Sequence, residues 1–118
     1  MFHVDVLAIN LRSPERVSRK VSAVVDTGSE HTWMPASVLD EAGIEHRRTR
    51  DFVTATGERI TRPVGYAILR VGDFETVDEV VFAEPTDMTL LGVRTIEGTG
   101  AYVDNVERCL VPRDAIKV

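Results

Sequence analysis

The chain contains one cysteine, three histidines, few aromatic residues and no long apolar run. With Cys109 alone, no intrachain disulfide can form, which fits a reducing, cytoplasmic setting. Cys109 opens the apolar stretch Cys109-Leu110-Val111 and is expected to be a small buried hydrophobe. No segment is long and apolar enough to span a bilayer, so no membrane association is expected. Met1 to Asp5 shows neither a basic n-region nor a long apolar h-region, so no signal peptide is expected. Basic residues are also in deficit: 14 Lys and Arg against 19 Asp and Glu leave a net charge of −5. That argues against nucleic acid as a partner, because a phosphate backbone calls for a basic patch. The only basic concentration, His46-Arg47-Arg48-Thr49-Arg50, reads as a solvated loop, with a substrate-facing rim as the alternative. His3 and His46 are isolated. His31 follows Glu30, but two ligand types in one loop do not make a metal site, so His31 is expected to be solvated and no metal or cofactor is expected.

What remains is an ordinary globular composition, 43% apolar and 28% charged, at a length that suits one domain over residues 1–118. Short strand patterns follow one another, punctuated by Gly and Pro. Val4 to Leu11 and Val17 to Val25 flank the turn Arg12-Ser13-Pro14-Glu15. Thr32 to Pro35 reads as a strand. Ala36 to Ala42 reads as one or two helical turns closed by Gly43, and Ile44 to His46 starts a short strand. Phe52-Val53-Thr54 and Arg59-Ile60-Thr61 form a hairpin around Gly57. Val64 to Val71 and Met88 to Leu91 are further strands, and Phe74 to Val77 with Glu79 to Phe82 are two strands or one broken strand. Val93 to Gly98 reads as a short helix, and Ala101 to Asp104 with Arg108 to Val111 as a last hairpin. Many short, evenly spaced strands indicate an all-β barrel or sandwich.

One motif stands out. Asp26-Thr27-Gly28 ends the apolar run Val21 to Val25 and is followed by Ser29. A strand thereby delivers a carboxylate to a tight turn. Gly28 permits backbone angles closed to other residues and lets backbone N–H groups approach the carboxylate, and the Thr27 hydroxyl can lock the turn. The triplet alone is a weak signal, and by itself an ordinary Asp-Gly-type turn is the better reading. Its surroundings add weight: a strand on each side, and far downstream Leu90-Leu91-Gly92 before a helix-like segment.

In these features the chain resembles the retropepsin-like aspartic proteases, the single-domain relatives of the retroviral proteases, and in particular their small cellular members. Val24 to Ser29 matches the family's catalytic motif. Leu90-Leu91-Gly92 matches the strand that threads the catalytic loop ahead of the C-terminal helix. Thr54-Ala55-Thr56-Gly57-Glu58 lies where the family places its flap. The resemblance covers nearly the whole chain. It implies an all-β, closed acid-protease-like β-barrel with a flap hairpin and one short C-terminal helix.

The resemblance also implies a chemistry. The chain carries one Asp-Thr-Gly, and aspartic protease chemistry needs two carboxylates sharing one proton, so a homodimer would place one Asp26 from each subunit on its axis. The ionised carboxylate takes a proton from a water held between the pair, and the protonated one donates to the scissile carbonyl oxygen. Thr27 bonds across the dimer, Gly28 shapes the turn, and Ser29 helps to orient the outer carboxylate oxygen. Ala55, Thr56 and Gly57 form the flap tip, closing over a peptide or protein substrate bound as an extended strand. Val53, Ile60 and Leu91 are candidates for substrate pockets, while Trp33 is expected in the core. The family's dimers are joined by interleaved N- and C-terminal strands. Here Met1 to Val6 could pair with a partner, whereas the segment Pro112 to Val118 is charged and opens on a proline. Two other readings stand beside this one: a catalytically inactive β-barrel that binds or scaffolds peptides, and an unrelated barrel with a coincidental triplet.

Overall fold

The computed structural model describes residues 1–118. Its strands are β1 (His3–Ile9), β2 (Val21–Asp26), β3 (Thr32–Pro35), β4 (His46–Val53), β5 (Arg59–Val71), β6 (Phe74–Ala83), β7 (Leu90–Gly92), β8 (Ala101–Asp104) and β9 (Cys109–Pro112). Two short helices join them, α1 (Ala36–Glu41) and α2 (Val93–Gly98). The protein is mostly β, as expected, and the helical turns after Pro35, the short helix α2 and the last hairpin β8–β9 stand where residue patterning placed them, so α2 is followed by a hairpin and α1 is a second helix beside the one the family resemblance implied.

Seven strands form one sheet in the order β1-β2-β7-β3-β6-β5-β4, and β1 pairs with β5 as well as with β2, so the order returns on itself. The pairs β2–β7 and β3–β6 are parallel, and the other pairs are antiparallel. No helix is long and apolar enough to cross a membrane.

Alternation explains what each strand buries. On β2, Ala23 and Val25 enter the core, while Ser22, Val24 and Asp26 point to the other face. The core joins Val6, Ala8, Met34, Val38, Leu39, Leu69, Val80, Leu91 and Ile96, all buried. Full burial of side chains this large is worth about 1.5–3 kcal/mol each.

Several elements are longer than local patterning predicts. The basic stretch His46 to Arg50 is not a loop but the first part of β4, with a register shift between His46 and Arg48. The segments read as two strands around Pro63 are one 13-residue strand, β5. Pro63 is tolerated because β5 pairs there with β4 alone; its ladder with β6 begins at Val64. Likewise β6 runs unbroken through Asp78, whose buried side chain is bonded rather than solvated.

Candidate active site

Asp26 is the last residue of β2, half-buried, and faces a groove of about 770 Å³. The turn after it is closed by two bonds to Asp26. The Gly28 amide donates to the carboxylate Oδ1 (2.9 Å), and the Ser29 amide donates to the main-chain oxygen (3.1 Å). Gly28 does not adopt a left-handed conformation, contrary to the sequence expectation. Its requirement is steric: a Cβ there would sit 3.2 Å from Asp26 Oδ1. Thr27 is exposed. The Ser29 hydroxyl donates to the His31 carbonyl (3.0 Å) instead of reaching the carboxylate within its own chain.

The loop is held from behind by β7 and the start of α2. In the parallel ladder Val24, Val25 and Asp26 lie opposite Leu90, Leu91 and Gly92. The amides of Val93 and Arg94 then donate to the carbonyls of Ser29 (2.8 Å) and Glu30 (3.1 Å). Thus the two segments matched to the family's hallmarks lie side by side.

The β4–β5 hairpin forms the other wall. Thr54 and Ala55 line the same groove as Asp26. The tip turns through Ala55 and Thr56, both exposed, to Gly57 at φ +86°. It is closed by the Thr54 amide on the Glu58 oxygen (2.8 Å) and the Gly57 amide on the Thr54 oxygen (2.9 Å). The floor carries the ring of Phe52, 5.0 Å from that of Trp33, with Met88 and Leu90 beside them. Trp33 is therefore a half-buried groove residue rather than core. Of the three pocket candidates, Val53 lines the groove, while Leu91 is fully buried and cannot touch a substrate.

The acidic side chains in the groove differ in freedom. The Thr61 hydroxyl bonds Asp51 at 2.6 Å and, with Arg59, holds its carboxyl below the usual range. Asp87 receives two bonds from Arg62 (2.7 and 2.9 Å), which depress it likewise. Glu30 is exposed.

Behind the loop lies a polar cluster that the sequence did not announce. His31 is not solvated but buried, with Nε2 2.7 Å from Glu79 Oε1 and 3.2 Å from Arg94 Nη1. The shorter contact places the Nε2 proton toward Glu79. Glu79, on β6, is 2% exposed and also receives Arg48 (2.8 Å) and Arg50 (2.6 Å) from β4. Burial opposes ionisation of Glu79, but hydrogen bonds from Arg48, His31 and Arg50 prevail and hold its carboxyl at about 2. The basic run was the one legible hint of this cluster: two of its arginines neutralise a carboxylate from a strand far along the chain. No group of three His, Cys, Asp or Glu side chains comes together as a metal site. A further fully buried chain of hydroxyls runs from the Gly92 amide to Thr32 Oγ1 (3.0 Å), then Thr95 Oγ1 (2.6 Å), then Asp78 Oδ2 (2.8 Å).

The N-terminal strand and the segment up to Pro112 are used within the molecule, while Asp114 to Val118 lie exposed outside any strand or helix. Phe2 is buried, and β1 pairs with β2 and β5 rather than standing free. The segment from Cys109 to Pro112 folds back on β8, and the Cys109 thiol is exposed rather than buried.

No curated protein matches the chain. A family model described as gag-polyprotein putative aspartyl protease matches residues 17–97, a span that holds the Asp26 loop, the β4–β5 hairpin, β7 and nearly all of α2. The chain belongs to this retroviral-type, retropepsin-like aspartyl protease family.

Proposed function

We propose that the chain is an aspartic endopeptidase that works as a homodimer, with Asp26 of each subunit sharing one proton and activating one water. The observation that carries this is the setting of Asp26: a carboxylate at a strand end, bonded by the Gly28 amide, opening into a groove beneath a hairpin. The Gly28 bond leaves Oδ2 free to face a second carboxylate. Two such groups about 3 Å apart cannot both ionise, so one serves as base toward water and the other as acid toward the carbonyl. Asp51 and Asp87 are committed to their own partners, and the resemblance to the family makes a second Asp26 the proposed mate.

In this reading the tip Ala55-Thr56-Gly57 closes over an extended peptide, and the apolar floor at Trp33 and Phe52 receives side chains. The return of the strand order through β1 supports a closed barrel. An exposed, unpaired thiol suits a reducing compartment, and we place the protein in the cytoplasm.

One observation favours a second reading, a peptide-binding module without hydrolysis. Of the segments that would join a retroviral-type dimer, the N-terminal one is paired inside the chain from His3 onward, and the C-terminal one forms no strand beyond Pro112. Peptide-library cleavage followed by mass spectrometry separates the two, run across roughly pH 4 to pH 8 at several protein concentrations. The peptidase reading expects cleavage that rises faster than linearly with concentration, peaks on the acidic side of neutral, and vanishes in Asp26→Asn. Peptide binding that survives Asp26→Asn, with no cleavage at any pH, would establish the module.

A further inference from the structure

Glu79 occupies an expensive position. Its carboxylate is almost fully buried, and three side chains from two other segments converge on it. Packing alone gives no reason for this, since an apolar side chain of similar volume is often as stabilising as a buried ion pair. What a carboxylate adds is direction, because it orients every donor that meets it.

Those donors come from the two walls of the groove. Arg48 and Arg50 belong to β4, the edge strand of the sheet and the first strand of the hairpin, and Arg50 itself lines the groove. His31 belongs to the loop that begins at Asp26, and its carbonyl accepts the Ser29 hydroxyl. The ring of Phe52, two residues beyond Arg50, stands edge-on to His31 at 5.4 Å. A shift of β4 is therefore transmitted through Glu79 and Phe52 to His31, and from there to the Asp26 loop.

We propose that Glu79 is a positioning residue, a buried anchor that fixes the stem of the β4–β5 hairpin to the loop bearing Asp26. The hairpin is held up to Phe52, and only its tip is free to open. The catalytic part of this inference rests on the peptidase reading; the mechanical part does not.

The test is a comparison of wild type, Arg48→Met/Arg50→Met, Arg48→Lys/Arg50→Lys and Glu79→Gln. Peptide-cleavage kcat and KM are measured together with amide hydrogen exchange in residues 26–32, 46–60 and the core strand β1. The Arg48 and Arg50 side chains are 52% and 39% exposed, so replacing them opens no core cavity, and the lysine pair, which keeps both charges on Glu79, remains the folded comparison if Glu79→Gln or the methionine pair does not fold. Anchoring predicts that Arg48→Met/Arg50→Met speeds exchange about tenfold in residues 26–32, which carry neither mutation, as well as in the hairpin, with β1 unchanged. It also predicts that kcat falls along with a rise in KM, and that the lysine pair recovers part of both. Faster exchange confined to the hairpin, or spread equally over β1, overturns the proposal. If wild type cleaves nothing, the peptidase reading falls, and exchange at residues 26–32 still decides the anchor.

Discussion

The backbone of His31 passes so close to Gly92 that a Cβ built on Gly92 would lie 2.4 Å from the His31 carbonyl carbon and oxygen. The strand β7 can cross behind the Asp26 loop only because residue 92 has no side chain. Both neighbours are backbone and cannot rotate away, so Gly92→Ala must push the loop and β7 apart. We expect a loss of about 3 kcal/mol or more, as for severe overpacking. It should appear in urea unfolding and as a melting temperature lowered on the order of 10 °C. A stable, well-folded Gly92→Ala protein would disprove this crossing.

The hydroxyl chain behind the loop has a definite polarity. Thr95 spends its proton on Asp78, so Thr32 must donate to Thr95 while accepting the Gly92 amide. Thr95→Val keeps the shape and removes both bonds, leaving the Thr32 hydroxyl proton without an acceptor and Asp78 Oδ2 without its donor. The expected cost is about 2 kcal/mol, measured by urea unfolding. Thr95→Ser, which retains the hydroxyl, should recover most of it.

Glu79 makes stability depend on acid. Its carboxyl is near its ordinary 4.5 when unfolded and at about 2 when folded. A depressed folded value stabilises at pH above the unfolded one, and that contribution is lost as pH falls from about 4.5 toward 2. The difference corresponds to about 3 kcal/mol as an upper figure. The urea midpoint of wild type should therefore fall steeply over that window. Glu79→Gln should start lower near neutral pH and lose less on acidification. Parallel curves for the two proteins would remove Glu79 from the acid response.

The exposed Cys109 thiol should react with a thiol reagent in the folded protein. One equivalent should be modified without denaturant, at a rate little changed by urea. Protection in the native state that grows with protein concentration would instead place β9 at a contact between copies.

Legibility in the sequence followed the range of the interactions. The Asp26 turn, the Gly57 hairpin tip and the short α2 before β8 depend on near neighbours, and residue patterning pointed to each. The length of β5 through Pro63 was not legible, because it depends on where β6 stops pairing with it. Nor was the destination of His31, whose partner lies 48 residues away on β6. Leu91 and Trp33 exchanged expected places for a related reason. Leu91 lies opposite Val25 on parallel strands and shares its inward face, while Trp33 turns toward Phe52 at the groove.

By itself, then, the amino-acid sequence determined the all-β character, the position of the carboxylate at a strand end, and the tight turn that presents it. These follow from alternation, apolar runs and glycine, all local properties of a chain. Only the tertiary structure decided that β7 lies beside β2, that the basic run neutralises Glu79, and that the N-terminal strand is paired internally with β2 and β5. Those outcomes depend on which distant segments meet, and a buried charge can select its partners only after the fold has brought them within hydrogen-bond reach.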